Sequence, residues 1–341
     1  MLEINDVENR RIKIQHDLDS GKTAHQRNKL GQFATPLALA LEMMLYAKML
    51  STKTEIYFLD PAFGTGSFYS AFLRVFHVNR RMGAVGYEID PNYARAARKL
   101  WKGTSLKLFI DDFTVASPPL NSHRKCNLLI CNPPYVRHHH LNRKRKHLLR
   151  GLVDEASGMK LSGYAGLYCY YIGLAHRWMA DNCIAGWLVP SGFLDVNYGH
   201  EIRKYLLEKV TLLRIHRFAP AQIQFKEALV STTIIWFRNK RSARDHDVEF
   251  THGGTLTDPE SHEWVSTARL KSSSKWTRFA TPLSKLMLVN DLTLSDLFKI
   301  KRGLATGANS FFILTEKDIR KHRIPRKFLK PILPNPRFLS A

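Results

Sequence analysis

A chain of 341 residues exceeds one ordinary domain and suggests two. Its hydrophobic content of 44% can build a sizeable core, but no run of about 18 apolar residues predicts a membrane span. Lysine and arginine number 52 against 29 acidic residues, a net charge of +23. This balance favours a polyanionic partner over a basic chain whose charge serves only solubility.

The cysteines and the start of the chain bear on location and metal content. None of the four cysteines stands in a C-x-x-C pair, so neither a zinc site nor a disulfide framework is indicated. The opening MLEINDVENRRIKIQHDLDS is too charged for a signal peptide. Free thiols without such a signal favour a cytoplasmic protein.

Hydrophobic patterning predicts strands that alternate with helices. Residues 1–30 predict a helical or loose arm, and the apolar spacing from Pro36 to Leu50 predicts a helix. Seven short strands are predicted, over 55–60, 84–89, 105–110, 127–132, 184–190, 210–218 and 229–237. Helices are expected between the earlier strands, at about 67–79, 91–100 and 163–181. The alternation predicts an α/β fold with a mostly parallel sheet, and the last two strands suit an antiparallel hairpin.

Composition divides the chain after residue 240 into two segments. Residues 241–284 are polar and loop-rich, which predicts a linker, and a smaller unit is expected to begin at about residue 285. Its Pro-rich end, KPILPNPRFLSA, makes that unit look incomplete. The sequence therefore predicts an arm over 1–30, a main domain over 31–240, a linker over 241–284 and part of a small domain over 285–341.

Two motifs at predicted strand ends suit a nucleotide. LDPAFGTGSF (59–68) places Asp60 and a glycine loop after the first strand, where α/β sheets bind nucleotides. No G-K-[ST] follows, which excludes a Walker loop, and a plain tight turn remains the alternative. Glu88 in GYEIDP ends the second strand, where an acid can accept hydrogen bonds from ribose hydroxyls; a surface glutamate is the alternative.

The ends of the third and fourth strands favour recognition of an amino group on a ring. In IDDF (110–113) an aspartate can accept from an adenine amine, but chemistry alone does not choose between Asp111 and Asp112, and turn capping is the alternative. CNPPYV (131–136) is stiffened by Pro133 and Pro134, which lack N–H groups. Asn132 offers an oxygen acceptor and Tyr135 a flat face, which suits recognition of a planar amino group. This interpretation is favoured over the alternative, a turn that is merely stiffened by its prolines.

The order of these motifs resembles a known family. F-x-T-P, D-P-A-x-G-x-G, an acid after the second strand, D-F and N-P-P-Y together resemble the γ-type N6-adenine DNA methyltransferases of restriction–modification systems, over about residues 30–240. The resemblance implies a Rossmann-like class I fold with S-adenosylmethionine as cofactor. It also implies that 31–240 is the catalytic domain and that 285–341 opens the target-recognition domain.

The resemblance also implies a role for each matching residue. Asn132, Pro133, Pro134 and Tyr135 would form the catalytic corner, with Tyr135 and Phe225 of QFKEALVSTTIIWF stacking on the target base; a core aromatic is the alternative for Phe225. Asp112 and Phe113 would take the cofactor's adenine and Glu88 its ribose. The complete set of implied cofactor residues is Phe33, Ala34, Thr35, Pro36, Asp60, Pro61, Ala62, Gly64, Gly66, Glu88, Ile89, Asp112 and Phe113.

These features predict a site-specific adenine methyltransferase that acts on double-stranded DNA. The basic run VRHHHLNRKRKHLLR (136–150) could contact phosphates or form a solvated helix face, and three consecutive histidines cannot all aim at one metal ion. A cognate restriction endonuclease or specificity chain would be a partner. The alternatives left open are glutamine methylation in a release factor, RNA adenine methylation and a non-catalytic DNA-binding subunit. The F-x-T-P segment and the charge disfavour the release factor, and the intact N-P-P-Y corner disfavours the last.

Overall fold

The computed structural model describes residues 4–23, 26–27, 30–219, 222, 231–281, 294–299 and 308–332. The chain divides into two compact units, Met1–Met287 and Leu288–Ala341. In the second unit the described helices are short: α9 Leu294–Leu297, α10 Asn309–Phe312 and α11 Glu316–Lys321. The first unit holds the sequence motifs.

The first unit is built on one sheet, with nine strands in its described part. They are β1 Ile56–Asp60, β2 Arg81–Glu88, β3 Leu106–Ile110, β4 Cys126–Cys131, β5 Met179–Pro190, β6 Thr211–Arg217, β7 Thr232–Arg238, β8 Asp247–His252 and β9 Ser261–Ser266. Their order is β3-β2-β1-β4-β5-β7-β6-β8-β9. Strands β1 to β5 are parallel, and β7 runs antiparallel to both β5 and β6, which confirms the predicted hairpin.

Two strands beyond the predicted seven correct the sequence analysis. The segment 241–284 was predicted as a linker, but β8 pairs parallel with β6, and β9 pairs antiparallel with β8. The hairpin has few apolar residues, and except for the exposed Trp264 they are deeply buried, so its polar composition concealed two strands. Phe250 packs against the rings of Trp276 and Phe279, at centroid distances of 6.0 and 5.1 Å.

Eight helices of the first unit are described, and most lie in two layers that cover the sheet. They are α1 Ile4–Ser20, α2 Leu37–Leu50, α3 Ser67–Val75, α4 Pro91–Leu100, α5 Arg143–Ser157, α6 Leu167–Ala175, α7 His200–Glu208 and α8 Thr267–Ser272. Helices α2, α3 and α4 bury their apolar faces in one core, and α5, α6 and α7 bury theirs in the other. The predicted α/β fold, covered on both faces, is therefore confirmed.

Helix ends follow local chemistry, and one predicted helix is too long. Asp90 caps α4 by accepting from Asn92 N at 3.0 Å, and Pro91 supplies its first residue. The helix predicted to reach Asp181 ends at Ala175, because the chain joins the sheet at Met179, opposite Cys126. Helix α7 was not predicted, and a helix at the start of α5 was one of the two alternatives for the basic run 136–150.

The four cysteines are free, and their burial makes them poor nucleophiles. Cys126 Sγ and Cys183 Sγ lie 3.9 Å apart without a bond. Burial raises the pKa of Cys169 to about 12 and also raises the pKa values of Cys131 and Cys183. In the described ranges, no helix is both long and apolar enough to cross a bilayer.

Candidate cofactor and catalytic site

The glycine loop joins β1 to α3 at the carboxyl end of the sheet. Gly66 adopts φ +93°, and a Cβ there would come within 2.6 Å of the Trp101 indole and 2.7 Å of the Phe63 ring. Only glycine therefore fits the turn. The loop is further held by Phe63 N, which donates to Tyr87 O at 2.8 Å. Because β1, β2 and β4 are neighbours, their carboxyl ends bring Asp60, Glu88 and Asn132 to one edge.

Asp60 is a buried carboxyl group beside this loop. Its Oδ1 accepts from Ala62 N at 3.1 Å, and the side chain is almost completely buried. Desolvation raises its pKa to about 8, and the nearby Glu88 carboxylate adds to the rise. A positively charged group placed next to Asp60 would reverse this shift, which suits a cationic ligand.

Glu88 shapes the loop as well as facing the site. Its two carboxylate oxygens accept from Gly64 N and Asp90 N, both at 2.8 Å. Burial raises its pKa, although both hydrogen bonds oppose the rise. Each oxygen keeps a second lone pair, so acceptor capacity remains for a hydroxyl group. The next residue, Ile89, leaves 63% of its apolar side chain exposed at the same strand end.

Asp112 is engaged by an arginine that the sequence analysis did not single out. Its Oδ1 accepts from Thr114 N at 2.9 Å and from Thr114 Oγ1 at 2.7 Å, while Oδ2 accepts from Arg145 Nη2. Arg145 lies in the first turn of α5 and also donates to Thr114 Oγ1 at 2.8 Å. Asp111 is exposed, and its carboxylate accepts from Asp112 N at 2.7 Å.

The neighbouring Phe113 is a core residue. Its ring is 1% exposed and lies between 5.2 and 5.6 Å from the rings of Tyr87, Tyr171 and Trp178. Phe113 therefore supports the floor of the site, and its ring is not presented openly to a ligand. The contact of Phe113 with the cofactor's adenine, which the resemblance implied, stays a prediction.

Asn132 is held with one acceptor unused. Its Nδ2 donates to Phe33 O at 2.9 Å and to Thr35 Oγ1 at 3.1 Å, which sets the orientation of the amide. Its Oδ1 is buried and has no hydrogen-bond partner among the described residues. An unpaired buried acceptor costs about 1–3 kcal/mol, so such an atom calls for a functional reason. Pro133, which follows, is buried as well.

The 31–36 segment runs beside the N-P-P-Y corner. Tyr135 N donates to Gly31 O at 3.1 Å, and the rings of Phe33 and Tyr135 lie 5.7 Å apart. Gly31 adopts φ +65°, and a Cβ there would come within 2.4 Å of Tyr135 N. This close approach requires glycine. Tyr135 itself is 7% exposed, and its hydroxyl donates to Leu188 O at 3.1 Å.

Two cavities flank this corner. The smaller, of about 50 Å³, is lined by Gln15, Phe33, Ala34, Thr35, Asp60, Ala62, Phe63, Gly64, Thr65, Ser67, Phe68 and Asn132. The larger, of about 750 Å³, is lined by Tyr135 and by residues that follow β4 and β5, among them Tyr168, Ser191 and Tyr198. Ligand pockets usually measure about 300–1,000 Å³, so the smaller cavity must widen to admit a nucleoside-sized molecule.

Other predicted features differ in how far the structure describes them. Phe225 lies outside the described residues, so its stacking role stays a prediction. The three histidines 138–140 form a 3-10 turn, and α5 continues the basic run. Within the described part of the chain, no cluster of three or more His, Cys, Asp or Glu side chains is arranged to hold a metal ion.

The main residues missed by sequence reasoning lie on α1. Glu8, Arg11, Gln15 and Asp19 follow each other at spacings of three or four residues, which places them on one helix face. Arg11 Nη1 donates to Thr65 Oγ1 at 3.0 Å, and Thr65 Oγ1 donates to Gln15 Oε1 at 2.7 Å. The helical period was present in the sequence, but polar residues at that period are ordinarily read as a solvated face.

Comparison with known proteins shows similarity to restriction–modification methyltransferases. Residues 78–224 match the model of the Eco57I restriction-modification methylase family. Type II methyltransferase M.AccI from Acinetobacter calcoaceticus is 24% identical over 340 residues, which cover 94% of this chain and 59% of that protein. M.XamI from Xanthomonas campestris pv. amaranthicola is 26% identical over 298 residues, covering 86% and 55%. The chain thus spans a little over half the length of these curated relatives.

Solved structures support the same fold. A class I S-adenosylmethionine-dependent methyltransferase from Listeria monocytogenes superposes with a TM-score of 0.55 at 17% identity, covering 76% of this chain and 77% of that one. The type IIG restriction endonuclease BpuSI reaches 0.60 at 15% identity, covering 94% and 42%. The class I methyltransferase fold and the resemblance to restriction–modification methyltransferases are both confirmed.

Proposed function

We propose that this chain is a DNA methyltransferase of a restriction–modification system that methylates N6 of adenine, with S-adenosylmethionine as donor. The observation that carries the proposal is the buried, unpaired Oδ1 of Asn132 at the end of β4. The similarity to type II methyltransferases supports DNA as the substrate. An endonuclease or specificity chain would be the partner, and the unit Leu288–Ala341 would open the target-recognition domain.

The N-P-P-Y corner explains how an unreactive amine becomes a nucleophile. The N6 lone pair of adenine is delocalised into the ring. Asn132 Oδ1 accepts one N6 hydrogen and the Pro133 carbonyl accepts the other, which draws the nitrogen toward a tetrahedral geometry and frees its lone pair. Because Nδ2 is fixed by Phe33 O and Thr35 Oγ1, the acceptor is oriented before the base arrives. N6 would attack the methyl carbon of the donor as the bond between that carbon and sulfur breaks, and the methylated nitrogen would then lose one hydrogen as a proton to solvent. Positioning and electrostatics carry the step.

The cleft residues fit the proposed donor. S-adenosylmethionine supplies a methyl group on a positively charged sulfonium. Asp60 would balance the positive charge, Glu88 would accept from ribose hydroxyls, and the exposed Ile89 would cover the adenine ring. Asp112 uses three of about four lone-pair positions on Thr114 and Arg145, so one remains for the adenine amine. The small volume of the cavity requires the surrounding segments to separate on binding.

The surface beside the corner suits a nucleic-acid backbone. Helix α5 begins with Arg143, Lys144, Arg145 and Lys146 and has no acidic residue in its first turn. Positive charge at a helix N-terminus opposes the helix dipole by about 0.3–1 kcal/mol per residue. These residues therefore weaken the helix. Arg145 is paired with Asp112, and for Arg143, Lys144 and Lys146 contact with phosphates would offset the cost.

The adenine must leave the duplex to reach the corner. Flipping costs a few kcal/mol, and stacking on an aromatic ring returns about 1–3 kcal/mol per base. The cleft of about 750 Å³ beside Tyr135 has room for an extruded base. Stacking of the base on Tyr135 and Phe225 is part of the proposal.

Incubation with tritiated S-adenosylmethionine tests the assignment. Mixed-sequence duplex DNA, bulk RNA and a release factor are offered separately, and the labelled product is digested and separated by chromatography. We expect label in duplex DNA as N6-methyladenine. Label in RNA or in a glutamine side chain would overturn the substrate assignment. Tight DNA binding without cofactor binding would point to a non-catalytic subunit.

A further inference from the structure

Helix α1 buries a charged face against the glycine loop. Glu8 and Arg11 are only 2% and 3% exposed. Arg11 Nε and Nη2 donate to the Glu8 carboxylate at 2.7–3.1 Å, and Nη1 extends to Thr65 Oγ1 at 3.0 Å. A buried ion pair is weak evidence for stability, because the loss of hydration offsets most of the attraction. Its contact with the loop suggests another role.

Thr65 is the point where α1 and the loop are joined. It lies between Gly64 and Gly66 and is almost completely buried. Its hydroxyl accepts from Arg11 and donates to Gln15 Oε1 at 2.7 Å, while its carbonyl accepts from the Trp101 indole at 2.9 Å. The Thr65 hydroxyl, the one polar group of this side chain, therefore makes both of its hydrogen bonds with α1.

The network continues from α1 to α4, which fixes the helix in place. Gln15 Nε2 donates to both oxygens of Asp19 at 3.0 Å, and the Tyr93 hydroxyl donates to Asp19 Oδ1 at 2.7 Å. Lys22, which follows the helix, pairs with Asp90, the capping residue of α4. The glycine loop is therefore held from α1 by side chains that are themselves anchored.

The position of this network identifies which end of the donor it serves. Gln15 and Thr65 line the small cavity together with Asp60, Thr35 and Asn132. Glu88 and Asp112, proposed for ribose and adenine, are not among the lining residues. The network therefore faces the end of the cleft where the positively charged amino-acid part of the donor would lie.

We propose that α1 forms a wall of the cofactor cleft, in which Arg11 and Gln15 act as positioning residues through Thr65. They hold the glycine loop in the shape that binds the amino-acid end of S-adenosylmethionine. This inference rests on the proposed function, because it assumes that donor. It assigns a binding role to a segment that precedes the motifs of the family resemblance.

Three variants separate positioning from folding. Thr65→Val keeps the side-chain shape and removes the hydroxyl that joins the loop to α1. Glu8→Gln combined with Arg11→Met removes the hold on Thr65 while replacing both charges, so that no unpaired charge remains buried. Arg10→Ala is the matched control, because Arg10 is an exposed arginine on the same helix. Circular dichroism and thermal unfolding check that each variant is folded.

The readout is binding of two ligands by isothermal titration calorimetry. S-adenosylmethionine carries the amino-acid end, and 5′-methylthioadenosine lacks it. We expect Thr65→Val and the double variant to raise Kd for S-adenosylmethionine about tenfold, as lost hydrogen bonds would, and to change Kd for 5′-methylthioadenosine less than about twofold. In steady-state kinetics KM for the donor should rise while kcat stays near the wild-type value. Arg10→Ala should change neither constant.

The possible failures are distinguishable. If the folded variants bind S-adenosylmethionine as tightly as the wild type, the positioning role is wrong while the proposed function stands. Equal weakening of both ligands would also overturn it, since a general loosening of the cleft would act on both. If the wild-type chain binds neither ligand, the proposed function itself fails, and this inference fails with it.

Discussion

At the scale of single residues, Asn132 carries the strongest expectation. Asn132→Ala removes the acceptor for N6 and should lower the methyl-transfer rate about a hundred- to a thousandfold, the usual loss for one preorganised polar group. Binding of S-adenosylmethionine should change little. Single-turnover transfer of a tritiated methyl group to DNA measures the transfer rate, and calorimetry measures the affinity for S-adenosylmethionine.

The control for this substitution is Asn79→Ala, at an exposed site before β2 and so at the opposite edge of the sheet from Asn132. It should leave both quantities unchanged. If the Asn132→Ala variant transfers methyl groups at a rate within a few-fold of the wild type, the proposed mechanism is contradicted.

Asp60 leads to a prediction about pH. Burial raises its pKa to about 8, so near pH 7 the carboxyl group of the free chain is mostly protonated. The positive charge of the donor lowers this pKa, so binding should release a proton, and affinity should rise between about pH 6 and 8. Calorimetry at neutral pH in buffers of different ionisation enthalpy counts the released protons. Asp60→Asn should release none, and a buffer-independent enthalpy in the wild type would contradict the prediction.

At the scale of elements, α5 should contribute to DNA affinity through its first turn. Replacing both Arg143 and Lys144 by alanine should weaken binding and reduce the slope of log K against log salt by about 1–2, since each phosphate contact contributes about 0.9. Fluorescence anisotropy over a range of salt concentrations measures the slope. Lys48→Ala with Lys53→Ala removes equal charge at exposed positions near the opposite, strand-beginning edge. An equal slope change in the two pairs would show a non-specific charge effect.

Most strands and helices of the first unit could be predicted because the apolar residues of each element follow the pattern typical of that element. The strands from β1 to β7 are short apolar runs bounded by turn residues, and each motif stands at a strand end. Over the start of α5 a solvated helix face was only one of two alternatives, because the basic run there is equally typical of a surface that contacts phosphates. The ion pair between Arg145 and Asp112 joins residues 33 positions apart, and no local pattern indicates such a contact.

At the scale of the whole molecule, strands β8 and β9 at one end of the sheet are expected to unfold together with the other seven strands. Phe250 in β8 is 1% exposed, and its loss to alanine should reduce the free energy of unfolding by about 3–5 kcal/mol. Trp264 in β9 is 59% exposed, so Trp264→Ala should cost less than about 1 kcal/mol. Urea unfolding followed by circular dichroism compares the two. A negligible effect of Phe250→Ala would mean that β8 and β9 are not part of the cooperative core.

Domain boundaries were harder to predict than strands. The linker assigned to residues 241–284 is contradicted by β8 and β9. The composition of β9 stays polar because β9 is the edge strand of the sheet and its residues alternate between more buried and more exposed positions. The role of residues 1–30 was missed for a related reason. On α1, Glu8 and Arg11 are buried and Gln15 and Asp19 are half-buried. Their contacts reach Thr65 on the glycine loop and Tyr93 on α4, which are distant in sequence.

The burial of all four cysteines has a practical consequence. Maleimide dyes react with accessible thiolates, and all four native thiols are buried. The pKa values of Cys131, Cys169 and Cys183 are raised as well, so the native thiols are slow to react. Arg10→Cys would then place a single reactive thiol on the exposed side of α1 without any need to remove the others. A fluorophore attached there would report, in real time, whether α1 moves as the donor enters and leaves.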